Sequence, residues 1–172
     1  MLNYEEIKEY EKYKNDNVFL FVYDSNIYDC YDEQFGVYIK LCKKLNLPFF
    51  THVSQTLYEV GDCYKKNNLT PVGLLENYGM LDIPCVLNGC VHCDKDDIKI
   101  MEKYEISVSH NISNNLKSGY GIAPVYSYKQ SGINICLGGN SDILKEMYIT
   151  GIVQNGNLNN PDAMLPKDLI NM

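Results

Sequence analysis

The chain has 172 residues, of which 45% are hydrophobic and 22% are charged, a composition typical of one folded domain with a sizeable core. Its 15 basic residues are all lysines, and 22 acidic residues bring the net charge to -7. A basic face that neutralises phosphates is therefore not expected, and neither is a nucleic-acid partner. The apolar runs are far shorter than the roughly 20 residues that span a bilayer, which predicts no membrane segment.

The N-terminus is acidic and polar, without the basic start and apolar stretch of a secretory signal, which predicts a cytoplasmic protein. The number of cysteines is seven, which is odd, and without an export signal we expect reduced thiols rather than disulfides. Four of these thiols lie in apolar patterns and are expected to act as small hydrophobic side chains: Cys42, Cys63, Cys85 and Cys136.

Predicted helices and strands alternate along nearly the whole chain. In chain order they are a helix over 4–14, a strand over 18–22, a helix over 34–45, a strand over 49–53, helices over 57–66 and 71–77, a strand over 84–87, a helix over 94–104, strands over 106–109 and 134–137, a helix over 142–153, a loop over 155–162 and a short helix near Pro166. This alternation predicts a single α/β domain over 1–172, with five parallel strands joined by right-handed crossovers.

Two architectures fit this order, an open doubly wound sheet and part of a (β/α) barrel. Both place functional residues at the carboxyl ends of strands. Polar and glycine residues follow the predicted strands at such ends, so we expect them to gather at one edge of the sheet: His52, Asn88-Gly89, His110 and Gly138-Gly139-Asn140. Neither GxGxxG nor a P-loop follows the first strand, which disfavours a nucleotide-binding fold.

Three segments carry a resemblance: PFFTHVSQT, then CVLNGCVHCDKDDIKIMEKYEISVSHNISNNLKSGYGIAPV, then GINICLGGNS. In this order the sequence resembles the amidohydrolase superfamily, and in particular the aminohydrolases that include S-adenosylhomocysteine/methylthioadenosine deaminase and the triazine chlorohydrolases. The resemblance implies a partial (β/α)8 TIM barrel, covering roughly strands 4 to 8 with their helices. We expect Phe19, Phe21, Phe49, Val86 and Ile135 to line the barrel interior.

Intact relatives hold Zn or Fe at the carboxyl ends of the strands and use it to activate a water. In the family pattern the ligands are an HxH pair on the first strand, a His on the fifth and sixth strands and an Asp on the eighth, and a Glu shuttles the proton. By this resemblance His52 is a vestigial metal ligand, whereas Gln55 stands where the shuttle Glu would be. An amide has no titratable proton and cannot act as a general base.

The remaining positions of the pattern are also altered. Asn88-Gly89 replaces the sixth-strand Ala-His, Gly139-Asn140 replaces the eighth-strand Thr-Asp, and the first-strand HxH has no counterpart. His110 matches the seventh-strand His, which implies a substrate-binding residue. The vestigial catalytic positions are therefore Gln55, His110 and Asn140, and no cofactor is expected.

The segment Cys90-Val91-His92-Cys93 also contains metal-binding residue types. These side chains are crowded into four residues and no second cluster follows, which favours a loop over a metal site.

The sequence therefore predicts a degenerate fragment of a metal-dependent aminohydrolase, a pseudoenzyme without activity of its own. Two alternatives remain open: a subunit of a split enzyme completed by a partner chain, and a noncatalytic module that binds a purine-like ligand. Exposed strand edges would favour self-association or a partner chain that supplies the missing barrel half.

Overall fold

The computed structural model describes residues 19–25, 27, 32–139 and 142–172. The strands in these ranges are β1 (Val22–Asp24), β2 (Phe49–Val53), β3 (Cys85–Gly89), β4 (Ser107–His110) and β5 (Asn134–Leu137). The α-helices are α1 (Asp32–Leu45), α2 (Leu57–Asn67), α3 (Pro71–Asn77), α4 (Lys95–Lys103), α5 (Ile112–Lys117), α6 (Val125–Gln130), α7 (Ile143–Asn157) and α8 (Pro166–Ile170). The predicted helix over 4–14 lies outside the described residues, as do Val18 and Asn140. Across the described ranges, no helix combines the length and apolar character needed to traverse a bilayer.

The strands form one parallel sheet in the order β1-β2-β3-β4-β5, which follows the chain. In a doubly wound sheet the order of the strands reverses at a switch point. The described strands of this sheet follow chain order without such a reversal. Successive right-handed crossovers place the connecting helices on the same side of the sheet. The structure therefore confirms the α/β class and the partial-barrel alternative.

The two faces of the sheet differ in exposure. On the side covered by helices, Phe49, Thr51 and Val53 of β2 are buried, whereas the alternate residues Phe50 and His52 are only partly buried. We call the second side the open face, and register pairing defines two of its rows. The first row is Tyr23, Phe50, Val86, Ser107 and Asn134, and the second is His52, Asn88, Ser109 and Cys136.

Several sequence predictions about this sheet were wrong. Among the described residues the first strand begins at Val22, and Phe19 and Phe21, which were expected within it, lie before it and are 75% and 55% exposed. Phe49 and Ile135 are buried on the helix-covered side instead of facing the barrel interior. Residue alternation then places Val86 on the open face, as expected, and leaves the Cys136 thiol exposed there rather than packed as a hydrophobic group.

Local sequence signals explain where the helices around the site begin. The Thr56 hydroxyl oxygen accepts a hydrogen bond from the Glu59 backbone N–H, and the Glu59 carboxylate accepts one from the Thr56 backbone N–H, a capping box that starts α2. Thr70 caps α3, and Pro71 occupies its first turn, where a missing N–H costs nothing. Helices α5 and α6 were not predicted, and α7 continues to Asn157, into the predicted loop over 155–162.

Candidate functional site

The site lies where β2 and β3 end side by side. His52 and Asn88 are register partners, and the Asn88 side-chain nitrogen lies 3.2 Å from His52 Nδ1 and 3.3 Å from Nε2. Asn111, just after β4, donates a 2.5 Å hydrogen bond from Nδ2 to Asn88 Oδ1. With Gln55, which is hydrogen-bonded to the imidazole, these residues form what we call the amide cluster: His52, Gln55, Asn88 and Asn111.

The electrostatics of the amide cluster favour a neutral imidazole. Burial lowers the pKa of His52, and this effect outweighs the opposing influences of the Glu59 carboxylate and the Gln55 hydrogen bond. Glu59 is also engaged elsewhere, since its Oε2 accepts from the Gln55 backbone N–H at 2.9 Å. The cluster therefore offers hydrogen-bond donors and acceptors but contains no carboxylate that could move a proton.

The backbone conformation of Gly89, the residue after Asn88 in β3, is unfavourable for residues that carry a Cβ. Gly89 has φ of +92°, a left-handed conformation that residues with a Cβ rarely adopt. A Cβ there would contact the Gln55 side chain at 3.4 Å. A histidine at this position would thus require the backbone to change, in addition to the substitution itself.

The described residues do not fit a catalytic zinc. Such a site needs three protein ligands and an open position. Here the His52 imidazole is hydrogen-bonded to amide groups, and Gly89 has no side chain that could coordinate a metal. Within the described ranges, no group of three or more His, Cys, Asp or Glu side chains is arranged to hold a metal ion.

His110 lies apart from the amide cluster, on the helix-covered side of the sheet. Its side chain is fully buried, and neither ring nitrogen has a hydrogen-bond partner in the structure as described. Burial lowers the pKa of His110 to about 4, against a smaller opposing effect of the Glu146 carboxylate. A ligand on the open face would not reach this ring, so its role in substrate binding stays a prediction.

The last predicted position, Asn140, falls outside the described residues, but the glycines before it show how close the backbone comes to the cluster. Gly138 donates from its backbone N–H to the His110 carbonyl at 2.8 Å. A Cβ on Gly138 would lie 2.0 Å from Asn111 Oδ1, which only glycine avoids. This strand end therefore packs directly against the amide cluster.

Two residues of this region were not found from the sequence. Asn111 joins the cluster because β4 ends one residue before it, and Glu146 of α7 is buried and accepts a hydrogen bond from the Ser113 backbone at 3.1 Å. The only sequence signal for Asn111 was its place next to His110 at a strand end. Glu146 lay within a predicted helix, and nothing in its spacing indicated burial.

Comparison with known proteins shows which family the chain belongs to. The model of the amidohydrolase family matches residues 1–172. The chain belongs to the amidohydrolase family. It is 36% identical over 170 residues to a 5-methylthioadenosine/S-adenosylhomocysteine deaminase of Thermodesulfovibrio yellowstonii, covering 94% of this chain and 39% of the relative. It is 33% identical over 152 residues to a 5'-deoxyadenosine deaminase of Methanosphaera stadtmanae, covering 84% and 36%.

Solved structures support the same fold. An adenosine deaminase from Xanthomonas campestris with bound zinc superposes with a TM-score of 0.87 at 19% identity, covering 95% of this chain and 39% of that one. Atrazine chlorohydrolase from Arthrobacter aurescens, complexed with zinc, gives a TM-score of 0.81 at 17% identity, covering 95% and 39%. This amidohydrolase chain thus spans about two fifths of the length of its relatives, and its sheet corresponds to part of their TIM barrel.

Proposed function

We propose that this amidohydrolase chain does not catalyse deamination by itself. The observation that carries the proposal is the amide cluster, in which the imidazole of His52 is bonded to Asn88 and Gln55. Gln55 stands at the family position of the proton shuttle, and Gly89 stands at a ligand position with a backbone unsuited to histidine. Metal activation of water and positioned proton transfer, the second typically worth ~10²–10⁴-fold, would both be lost.

The test is ammonia release from S-adenosylhomocysteine, methylthioadenosine, 5'-deoxyadenosine, adenosine and guanine, with added zinc or iron. The purified chain is expected to match a no-protein blank, while the Thermodesulfovibrio yellowstonii relative, assayed alongside, reports that the assay works. Ammonia that rises with protein concentration and disappears in His52→Ala would contradict the proposal. Ammonia that persists in His52→Ala would be assigned to a contaminating enzyme.

A second candidate is a subunit completed by another chain, or by a second copy, which together form a closed barrel. The open face supports it, since Phe21 and Tyr23 are 55% and 49% exposed there and their rings pack on Phe50 at 5.6 Å and 6.0 Å. Strands β1 and β5 are at the edges of the described sheet, and edge strands can pair with another chain. Light scattering on dilute protein is expected to show association, and a monodisperse monomer would contradict this candidate.

A third candidate is binding of a purine-like ligand without catalysis. The amide cluster supports it, because amide groups of Asn and Gln carry both a donor and an acceptor and can pair with the edge of a purine. Calorimetric titration with adenosine should then give saturable heat that Asn88→Ala removes. No heat at millimolar ligand would count against binding.

A further inference from the structure

The loop after β3 brings two cysteines together. Cys90 and Cys93 are separated by two residues, Val91 and His92, that form a turn, and α4 begins shortly afterwards at Lys95. A turn of this kind keeps the α-carbons of its first and fourth residues within about 7 Å of each other. A disulfide requires roughly 4.4–6.8 Å between α-carbons, so the spacing suits a bond between these two residues.

The side chains confirm the proximity. The pKa of the Cys90 thiol is raised well above its usual value, first because it is hydrogen-bonded to Cys93 and then because it is buried. Tyr128 bridges the same two residues, since its hydroxyl donates to the Cys90 carbonyl at 2.5 Å and is also hydrogen-bonded to the Cys93 side chain. The two thiols therefore lie together beside the Tyr128 hydroxyl, between the loop after β3 and helix α6.

The pair is asymmetric in its access to solvent. Cys90 is fully buried, whereas Cys93 is partly exposed. A reagent from solution can thus reach the Cys93 sulfur, while Cys90 is reached only through Cys93. This is the arrangement of an attacking thiol and a resolving thiol.

The loop is held in place by β2. The backbone N–H of Cys90 donates to the Val53 carbonyl at 2.8 Å, and those of Val91 and His92 donate to the Ser54 carbonyl at 3.0 Å and 2.9 Å. Because these bonds fix the turn independently of the thiols, little conformational freedom is lost when the two sulfurs join. Ring closure is therefore favoured over a lasting adduct with a second molecule.

The same residues do not form a metal site. His92 Nε2 lies 2.7 Å from the Tyr120 carbonyl oxygen, so this ring nitrogen is hydrogen-bonded rather than directed at the two thiols. In the part of the chain that the structure describes, no third His, Cys, Asp or Glu joins Cys90 and Cys93 in a metal-holding arrangement. Two thiols without a third ligand favour redox chemistry over zinc binding.

We propose that Cys90 and Cys93 are a redox-active dithiol site whose substrate is a small aliphatic disulfide. The Cys93 thiolate attacks one sulfur of that disulfide, forming a mixed disulfide and releasing one thiolate. The thiolate just released takes up the Cys90 proton within the site, and the Cys90 sulfur attacks the Cys93 sulfur and displaces the second thiolate. Both released thiolates take up protons, so the protein dithiol is oxidised by two electrons and the small disulfide is reduced to two thiols. This site is independent of the proposed function.

The experiment uses the whole chain equilibrated in glutathione buffers that range from strongly reducing to strongly oxidising. The chain is then denatured so that buried thiols are reached as well, free thiols are blocked with iodoacetamide, disulfides are reduced, and the newly freed thiols are labelled with N-ethylmaleimide. Because cleavage after lysine releases residues 67–95 as one peptide, Cys85, Cys90 and Cys93 are read together by mass spectrometry. We expect the second label on Cys90 and Cys93 in equal amounts, rising together with oxidation, and little on Cys85, which is buried.

Two variants separate the roles of the thiols. Cys90→Ser is expected to trap glutathione on Cys93 as a stable mixed disulfide, and Cys93→Ser should leave Cys90 reduced throughout. Cys136→Ser removes an exposed thiol elsewhere on the sheet and should not change the pair. The proposal is overturned if Cys93 in the unmodified sequence accumulates glutathione without linking to Cys90, or if both thiols stay reduced in the most oxidising buffer.

Discussion

The Asn88 side-chain amide lies 3.2 Å from His52 Nδ1, on neighbouring strands whose residues pair in register. The family pattern places metal ligands at the ends of these two strands, but here an amide N–H faces the imidazole. An amide N–H is a hydrogen-bond donor and cannot coordinate an ion through that atom. This relationship supports the proposal that the chain does not catalyse deamination by itself.

The first prediction is that the purified chain binds no zinc or iron in stoichiometric amount. Three to four ligands are the norm for zinc, and His52 is occupied by hydrogen bonds to amides. Elemental analysis after extensive dialysis should show far less than one metal per chain. One tightly held metal per chain would contradict the prediction. Its loss in His52→Ala but not in Cys90→Ser would then place it in the amide cluster.

The second prediction concerns the backbone at Gly89. Replacing it with alanine forces a Cβ into a conformation with φ of +92°, which should destabilise the fold by about 1–2 kcal/mol. Gly61 offers a matched control, because it lies inside α2 with nothing within 4 Å of an added Cβ. Gly61→Ala is expected to stabilise by up to about 1 kcal/mol. Urea denaturation curves measure both, and equal effects of the two substitutions would show that Gly89 is not constrained.

Much of this fold could be predicted from the sequence, because most strands are short apolar runs bounded by Pro, Gly or Asn. The predicted strands near Phe49, Cys85, Ser107 and Asn134 all lie within two residues of the observed ones. The first strand was misplaced since the apolar run before Val22 is longer than the segment that pairs with β2. A hydrophobic run predicts a strand, but it does not say which of its residues find partners.

The open face and the site were harder to predict for a different reason. Phe49 and Phe50 are both apolar, so alternation alone did not tell which of them faces the helices. The pairing of His52 with Asn88 depends on the register between strands 36 residues apart, which no local pattern encodes. Likewise, α5 and α6 are six residues each, too short for a helical period to stand out.

A third prediction concerns Thr70, whose hydroxyl caps α3 and is also hydrogen-bonded to Asp97 of α4. Its hydroxyl accepts from the Gly73 backbone at 3.1 Å and donates to the buried Asp97 carboxylate at 2.5 Å. Burial raises the pKa of Asp97, and the Thr70 hydrogen bond opposes that effect. Thr70→Val keeps the shape and removes both bonds, so we expect a loss of about 2–3 kcal/mol.

Thr56→Val is the control for Thr70→Val. The Thr56 hydroxyl caps α2 in the same way, and no hydrogen bond from it to a buried carboxylate is found among the described residues. The expected cost of Thr56→Val is about 1 kcal/mol. Chemical denaturation near neutral pH compares the two variants. If they lose the same stability, the bond between Thr70 and Asp97 contributes nothing beyond the cap.

A fourth prediction follows from His110. Its pKa is about 4 in the folded chain and near 6.5 when unfolded, so the unfolded state binds the proton more tightly. The stability that follows is fully present above about pH 6.5 and is lost as the pH falls towards about 4, by about 3 kcal/mol in all. Denaturation curves across this range should weaken steadily towards acid.

His110→Gln should flatten that acid dependence, because the glutamine amide does not titrate. His52, whose pKa is also lowered, retains a smaller contribution of the same sign. His92→Gln is the matched control for the substitution itself, since His92 is only partly buried and is hydrogen-bonded to the Tyr120 carbonyl. An unchanged slope in His110→Gln would mean that other groups control the loss of stability in acid.

The last prediction tests the open face. If association covers this face, a charge placed on it must be desolvated, so Tyr23→Lys should shift the chain from associated species towards monomer. Tyr23 is 49% exposed and packs its ring against Phe50 and His52, which places it within the surface to be covered. Tyr58→Lys adds the same charge to α2, where the side chain is 81% exposed and lies on the opposite side of the sheet. Sedimentation velocity at several concentrations should show weaker association for the first variant alone. Equal weakening by both variants would indicate a general effect of net charge, and no weakening by Tyr23→Lys would place the contact elsewhere.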